Sequence, residues 1–296
     1  MIVILWYALV PITGGFINRY KWKRFRNRFN SLRLSPLLDY SQYRKLDGEG
    51  GIFRFFGGIE SITDGHTLWV KGGNLSIPVS IAKTKCFLLP IHDGESFPEA
   101  PQEIRWNRVS TITEGAKVFI AGSIKTKDDR LSFVSAKEQP LMVIFYDCPD
   151  DELAQTIIQA ARTRNEYWNS ITPVSIAIGA LTLIYIAATY LGRPAFRLTV
   201  ICALSAVFIP ILPFFPPGIL FTSLYRRFSW DSRKLRADYD LAVFGLMPVP
   251  SDKPVNSLML RAYVLESIAW GLMLASVIVN IIFIFLLLYL FKVISF

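Results

Sequence analysis

The chain has 296 residues, of which 52% are hydrophobic and 19% are charged, and its formal net charge is +9. Soluble domains carry about 25% charged residues, so this composition argues against a wholly soluble protein and favours a membrane protein with one soluble part. The stretch from Asn18 to Lys45 holds nine basic residues and one acid, which argues against a nucleic-acid binder with its charge spread over a folded face.

The first predicted element is a transmembrane helix over residues 1–18. This stretch is uncharged, and the basic residues follow it instead of preceding it. A cleaved signal peptide has the opposite order. The order therefore predicts an uncleaved anchor whose N-terminus lies outside.

Residues 19–46 form a basic juxtamembrane segment in which aromatic and basic side chains interleave. This pattern is typical of an amphipathic helix lying on anionic lipid, and a simple stop-transfer flank explains it equally well. The predicted lipid-surface contacts are Lys21, Lys23, Arg24, Arg26 and Arg28.

Residues 47–148 contain two similar stretches, "ITDGHTLWVKG" from Ile62 and "ITEGAKVFIAG" from Ile112. Each has an acid-glycine turn, at Gly65 and at Gly115, where glycine is able to take a positive φ. A run of β-favouring residues follows each turn. The similarity marks either a duplicated unit or a shared turn-and-strand pattern. With further short strands and glycine-rich turns, this region predicts a small antiparallel β barrel or sandwich.

A connecting helix is predicted over residues 149–170. Pro149 suits a first helical turn, and the three acids that follow it favour the positive end of the helix dipole. Leu153, Ile157 and Ala161 recur at helical spacing and give one apolar stripe. The helix leads almost directly into the next apolar segment.

Three further transmembrane helices are predicted, over residues 171–191, 198–217 and 267–291. The second of these contains four prolines, so its helix is expected to end near Pro213. Residues 225–266 form a basic cytoplasmic loop. With the β-rich domain and this loop inside, the segments that flank the membrane carry 18 basic residues on the cytoplasmic side and three outside, as the positive-inside rule requires.

The fold class is thus an α+β membrane protein, with a small β barrel or sandwich domain and about four transmembrane helices. Both termini lie outside, the β-rich domain is cytoplasmic, and the expected location is the bacterial inner membrane.

Candidate chemistry is sparse. Three cysteines and two histidines are too far apart for a structural zinc site, so no metal, cofactor or catalytic residue is predicted. The segment "HDGE", which starts at His92, is either a metal or acid–base site or, as we favour, a polar loop.

Asn280 lies inside the last span and is expected to make an interhelical polar contact, in preference to a transport role.

One region resembles a known family. Residues 50–190 contain "FRFFGGIESI", "EGAKVFIAGSI" and an acid-capped "DDELAQTIIQAARTR" helix that leads into a membrane span. This order resembles the GIDE-type, beside-a-membrane domain. The resemblance implies a β-rich domain next to the bilayer. The ubiquitin-ligase members of that family end in a RING, and no Cys/His cluster follows the second span here, so ligase activity is not implied.

The expected function is that of a non-catalytic scaffold or assembly factor at the membrane. The alternative is a component of a membrane enzyme or transporter that acts on a lipid-soluble substrate. The expected partners are anionic lipid headgroups and a membrane protein or a second copy of the chain, without nucleic acid.

Overall fold

The computed structural model describes residues 1–45, 49–90, 99–127, 130–136, 140–163, 169–247 and 254–290. The chain divides into two compact units. The membrane unit comprises Met1–Lys21, Asn165–Tyr239 and Val249–Phe296, and the barrel unit comprises Trp22–Arg164 and Asp240–Pro248.

The barrel unit is built on eight strands. They are β1 (Glu49–Thr63), β2 (Thr67–Gly72), β3 (Leu75–Ser80), β4 (Lys85–Leu88), β5 (Gln102–Arg105), β6 (Lys117–Lys127), β7 (Arg130–Val134) and β8 (Met142–Tyr146). Five of them close into a barrel in the order β1-β2-β3-β7-β6-β1. This is a Greek-key closure, as in OB-folds, and it confirms a barrel where a barrel or a sandwich was expected.

The barrel is not fully antiparallel, which corrects the sequence-based expectation. β3 and β7 pair in parallel through Val79 and Phe133. A parallel pair is needed here because β6, not β7, returns to close against β1. Outside the barrel, β8, β4 and β5 extend the sheet from the first half of β6, and β4 and β8 are also parallel.

Two consecutive glycines let β1 change partners. Its first half pairs with β6, where Phe53 faces Gly122, and its second half pairs with β2, where Ile59 faces Val70. Gly57 stands where the strand turns, and a Cβ there would collide with the backbone carbonyl of Lys71. Glycine is the residue expected at such a corner.

Side chains that alternate along the strands fill the barrel. Each large apolar side chain buried there contributes roughly 1.5–3 kcal/mol. The fully buried members include Leu68, Val70, Ile77, Val79, Val118, Ile120, Ile124 and Phe133.

Helices cover the outer face of the sheet. The first helix begins with α1 (Ile2–Ile4), continues through a π-helical turn (Leu5–Leu9) into α2 (Val10–Arg33), and is followed by α3 (Tyr40–Tyr43). The connecting helix predicted over 149–170 is α4 (Leu153–Thr163) within the described residues. Phe29 from α2 and Ile157 from α4 share one buried cluster with Phe119 of β6.

The membrane unit contains α5 (Ile171–Tyr190), α6 (Arg197–Val207) and α8 (Val255–Leu290). It also contains α7 (Gly218–Val243) as far as Tyr239. Three helices in the described chain are long and apolar enough to cross a membrane. They are Ile2–Arg33, Ile171–Tyr190 and Val255–Leu286.

The predicted span 198–217 is not a continuous helix. Its helical part, α6, has 11 residues, whereas a crossing needs about 20. Turns and a short 3-10 helix (Leu212–Phe214) follow. The physical reason is the run of prolines, which lack a backbone donor and clash with a preceding helical turn.

Residues 225–266, predicted as a loop, are largely helical. α7 runs through the basic stretch because no proline or glycine interrupts it before Gly245. Gly245 ends it with φ +68°. The backbone N–H of Leu246 then donates to the carbonyl of Leu241 at 2.9 Å, which is the Schellman pattern of a helix C-terminus.

Candidate functional site

The membrane unit contains a partly open cavity of about 650 Å³. This volume lies in the range of small-molecule pockets. Side chains from the first helix, α5, the irregular segment after α6, α7 and α8 line it, and they are Tyr7, Ala8, Ile176, Ile209, Pro210, Pro213, Phe214, Thr222, Tyr225, Arg226, Trp230, Arg233, Trp270, Met273, Leu274 and Val277.

Two helices supply most of the wall. α7 and α8 run antiparallel, since the hydroxyls of Thr222 and Ser276 lie 3.2 Å apart and Ser232 Oγ donates to the carbonyl of Ala262 at 2.8 Å. The lining residues of α7 and those of α8 recur at intervals of three and four residues. That spacing puts each set on one face of its helix.

One end of the cavity is closed by the irregular segment between α6 and α7. Asn280 Nδ2 donates to the carbonyls of Leu212 at 2.5 Å and of Phe215 at 3.2 Å. Thr222 Oγ1 donates to the carbonyl of Pro213 at 2.7 Å. An unsatisfied carbonyl in hydrocarbon costs several kcal/mol, so these two side chains stabilise a non-helical backbone among apolar helices.

Beyond Thr222, positive charge lies along α7 toward the other end of the cavity. Arg226 and Arg233 both line the cavity, and Arg233 donates to Ser229 Oγ at 2.8 Å. Arg226 has no acidic partner within the part of the chain that the structure describes. Arg226 is also exposed, so its guanidinium is accessible to an anion, with which it forms charge-assisted hydrogen bonds.

Aromatic rings stand near the same end. The rings of Tyr225 and Trp270 have centroids 6.4 Å apart, and Trp230 also lines the wall. Tyrosine and tryptophan concentrate where hydrocarbon meets headgroups.

No protein-family model, curated protein or solved structure matches this chain. The chemistry of the cavity follows from its own side chains. Its lining offers hydroxyl groups, indole rings and guanidinium groups, with no carboxylate, imidazole or thiol among the lining residues that the structure describes. This set suits binding of an apolar or anionic molecule better than proton transfer.

The structure separates the five predicted lipid contacts. Lys21, Lys23 and Arg24 are exposed and Arg28 is half-buried. Arg26 is a correction, because it is 4% exposed and its Nε lies 2.8 Å from Oδ2 of Asp240. A buried side chain that pairs with a carboxylate has no access to lipid headgroups.

The aromatic face of the basic segment is also reassigned. Trp22 and Phe25 pack edge-on against each other, with centroids 5.2 Å apart, and the ring of Phe25 lies 4.6 Å from that of Phe87. This face lies on the sheet of the barrel unit. An amphipathic pattern shows that a helix has an apolar partner, but it does not identify that partner.

Asn280 is buried and contacts the backbone at Leu212, Phe215 and Gly218, whose N–H lies 3.4 Å from its Oδ1. The expected interhelical contact thus joins α8 to the irregular segment and to the first residue of α7.

The remaining polar candidates have structural roles. His66 is a turn residue whose Nδ1 lies 2.6 Å from the carbonyl of Asp64. Tyr146 donates to Asp150 at 2.9 Å, and burial together with this carboxylate raises the pKa of the tyrosine. "HDGE" lies outside the described residues, and no cluster of three metal-ligating side chains occurs among those that are described.

The cysteines are free thiols, of which Cys86 is buried, Cys148 is half-buried and Cys202 is exposed. Burial raises the pKa of Cys86 to about 12 and also raises that of Cys148. A thiol with a raised pKa is a poor nucleophile at neutral pH.

Proposed function

We propose that the protein is a non-catalytic scaffold or assembly factor, which presents the barrel unit at a membrane surface to a protein partner. The observation that carries this proposal is a group of exposed apolar side chains on the barrel unit. Leu34, Leu37 and Tyr40 are 71%, 47% and 52% exposed. Clustered apolar exposure on a polar unit marks an interaction surface.

The outward direction of these side chains is fixed by the local backbone. Leu38 donates its N–H to the carbonyl of Arg54 at 2.8 Å, and Arg54 donates back to the carbonyl of Pro36 at 3.0 Å. In such an extended pair, neighbouring side chains point to opposite sides, so Leu38 is buried and Leu37 faces outward.

The helix that follows holds Tyr40 in place. Asp39 caps it by accepting the N–H of Gln42 at 2.7 Å. The capping hydrogen bonds lower the pKa of this carboxyl group. An ordered apolar surface of this kind costs less entropy on binding than a mobile one, which favours a docking role.

In the proposed topology the chain crosses the bacterial inner membrane four times, with both termini outside and the barrel unit in the cytoplasm. The third crossing is discontinuous and uses α6 and the first two turns of α7. At 1.5 Å per residue, the 11 residues of α6 and the nine from Gly218 to Arg226 together reach about 30 Å, the thickness of the hydrocarbon core. The carbonyl contacts of Asn280 and Thr222 support this arrangement, because broken helices are tolerated only where their backbone groups are satisfied.

In this topology, the exposed Lys21, Lys23 and Arg24 lie at the cytoplasmic interface, where anionic headgroups attract basic residues. The resemblance of residues 50–190 to a GIDE-type domain fits the same arrangement and remains a prediction.

A second candidate function is that of a component of a membrane enzyme or transporter acting on a lipid-soluble substrate. The cavity in the membrane unit favours it, since its walls are apolar and its volume is about 650 Å³. On this alternative, a separate subunit supplies the reactive groups.

Site-specific photo-crosslinking in the native membrane tests the scaffold. A photoreactive residue at Leu37 is expected to form one discrete protein adduct. The same residue at Asn74, which is also exposed in the barrel unit, is expected to form none. Leu34→Ser with Tyr40→Ser should abolish the adduct and the stoichiometric co-purification of the same partner. A crosslink only to lipid, or equal protein adducts from positions 37 and 74, would contradict the scaffold proposal.

A further inference from the structure

We propose that the cavity of the membrane unit binds a lipid with a phosphate headgroup, its chain against α7 and α8 and its phosphate at Arg226 and Arg233. This inference concerns a site that the scaffold proposal does not use. Its test therefore succeeds or fails independently of the crosslinking at Leu37.

The apolar part of the cavity fits a lipid chain. From Thr222 to Arg233 the lining face of α7 advances 233 − 222 = 11 residues, or about 16 Å along the helix axis. The opposite wall, from Trp270 to Val277 on α8, is shorter, since 277 − 270 = 7 residues or about 10 Å, and the stretch of α7 that it faces begins at Thr222 and ends short of Arg233. An elongated apolar space between helices long enough to span a membrane is filled most favourably by a molecule that partitions into the bilayer.

The far end is closed to a polar group. Pro213 and Phe214 line it, and the nearest polar groups are already paired, since Thr222 Oγ1 donates to the carbonyl of Pro213. A ligand with polar groups at both ends would leave one of them buried and unpaired, which weakens binding. The cavity thus selects a molecule with a single polar end.

The arginines identify the charge of that end. Arg226 and Arg233 are seven residues apart on one face of α7, or about 10 Å along the axis, and both side chains line the cavity. A guanidinium donates two parallel hydrogen bonds to phosphate oxygens, and phosphate has enough acceptors for two such groups. A phosphate monoester or diester on an apolar chain satisfies both the walls and the charges.

Arg227 offers a matched control. It has the same charge, is the next residue on α7 and is exposed, but it does not line the cavity. A change in lipid binding caused by net charge or by detergent is expected in both Arg226→Gln and Arg227→Gln. A change caused by loss of a contact in the cavity is expected only in Arg226→Gln.

The experiment is native mass spectrometry of the delipidated full chain in detergent, titrated with 1-oleoyl-glycerol 3-phosphate. Arg226→Gln is expected to weaken binding about tenfold or more, as loss of a charge-assisted hydrogen bond does, while Arg227→Gln changes it less than about twofold. Arg226→Lys should fall between them. 1-Oleoyl-glycerol, which has the same chain without phosphate, should bind at least about tenfold more weakly than the phosphate lipid.

Two further variants test the part of the cavity that is proposed to bind the lipid chain. Val277→Trp fills the cavity and is expected to reduce lipid binding strongly. Ile278→Trp places the same bulk on the outward side of α8, where the side chain is exposed and does not line the cavity, and should leave binding unchanged. Thermal unfolding of each variant in detergent shows that it is folded.

Three outcomes would overturn the proposal. They are equal effects of Arg226→Gln and Arg227→Gln, equal affinity for the lipid with and without its phosphate, and full competition by millimolar inorganic phosphate, which would make the arginines a site for free phosphate. If Val277→Trp fails to fold, the arginine variants and the two probe lipids still decide the question.

Discussion

Arg26 and Asp240 form a buried ion pair in the barrel unit, with Nε of the arginine 2.8 Å from Oδ2 of the carboxylate. Arg162 binds the same carboxylate through two hydrogen bonds of 2.7 and 2.9 Å. One carboxylate thus joins α2, α4 and the end of α7, and it pairs with two buried guanidinium groups.

Asp240→Asn is expected to destabilise the barrel unit strongly, because it removes the charge of the carboxylate that two buried guanidinium groups share. Removal of one partner from a buried ion pair costs about 3–5 kcal/mol. The control is Glu103→Gln, which breaks a 2.7 Å pair with the exposed Lys85 and should cost about 1 kcal/mol or less. Thermal unfolding of the full chain in detergent measures both, and equal losses would contradict the proposed role of Asp240.

The two similar turns lead to a prediction about glycine. Gly65 has φ +66° and Gly115 has φ +84°, and nothing lies within 4 Å of a Cβ built on either. Gly65→Ala and Gly115→Ala are therefore expected to cost about 1–2 kcal/mol each, from backbone strain alone. Gly51→Ala is the control, since it also meets open space and its φ is ordinary.

Gly72→Ala is expected to cost more than either turn variant. A Cβ there collides with the carbonyl of Phe56 and with the ring of Phe55, so the strands must move apart. His66→Ala should have little effect, since Ala116 occupies the matching position of the second turn. Urea unfolding ranks the variants. If Gly65→Ala and Gly115→Ala are as stable as Gly51→Ala, the two turns do not require a positive φ.

Cys86 predicts a loss of stability at alkaline pH. Burial raises its pKa to about 12 from an ordinary value of 9.0, so the neutral thiol is favoured in the folded state. Its contribution is complete below pH 9 and is lost as the pH rises from 9 to 12, with a slope of about 1.4 kcal/mol per pH unit. Cys86→Ala should reduce the slope of stability against pH in this window, whatever its effect at pH 7. An unchanged slope would show that the thiol does not ionise on unfolding.

The local features of the fold follow from the sequence. The acid-glycine turns predicted a positive φ at Gly65 and Gly115, and both are confirmed. The reason is that a turn is determined by a few neighbouring residues whose steric limits are known. The apolar helices could also be predicted from the sequence, because the length and composition of an apolar segment depend on that segment alone.

The contacts between distant segments could not be predicted from the sequence. The pair of Arg162 and Asp240 joins positions 78 residues apart, and nothing in either neighbourhood marks them as partners. The face of Trp22, Phe25 and Phe29 has the same pattern whether its partner is lipid or a sheet. The cavity is harder still to foresee, since its lining residues become a set only when α7 and α8 are known to run antiparallel.

Membrane topology is tested by two single cysteines, Ala195→Cys and Asn74→Cys, with Cys148 and Cys202 replaced and Cys86 kept, since it is buried. Both positions are exposed. In intact cells, a membrane-impermeant thiol reagent is expected to label Ala195→Cys and to leave Asn74→Cys unlabelled until the membrane is permeabilised. Labelling of both in intact cells, or of Asn74→Cys alone, would contradict the four-crossing arrangement with a cytoplasmic barrel unit.

The last prediction concerns the irregular segment between α6 and α7, which Asn280 contacts. Asn280→Leu keeps the size of the side chain and removes its hydrogen bonds to the carbonyls of Leu212 and Phe215. In a membrane protein such bonds contribute about 1–2 kcal/mol, so we expect a clear fall in the thermal stability of the full chain in detergent. Ile278→Leu, two positions away and exposed, should have almost no effect.

The double variant with Thr222→Val separates two explanations of that loss. Thr222 donates to the carbonyl of Pro213, which lies in the segment that Asn280 also holds. If the two side chains stabilise one cooperative segment, the first substitution already releases it, and the double variant loses less than the sum of the single losses. Strictly additive losses would mean that the two contacts act independently and that the segment is not a single cooperative element.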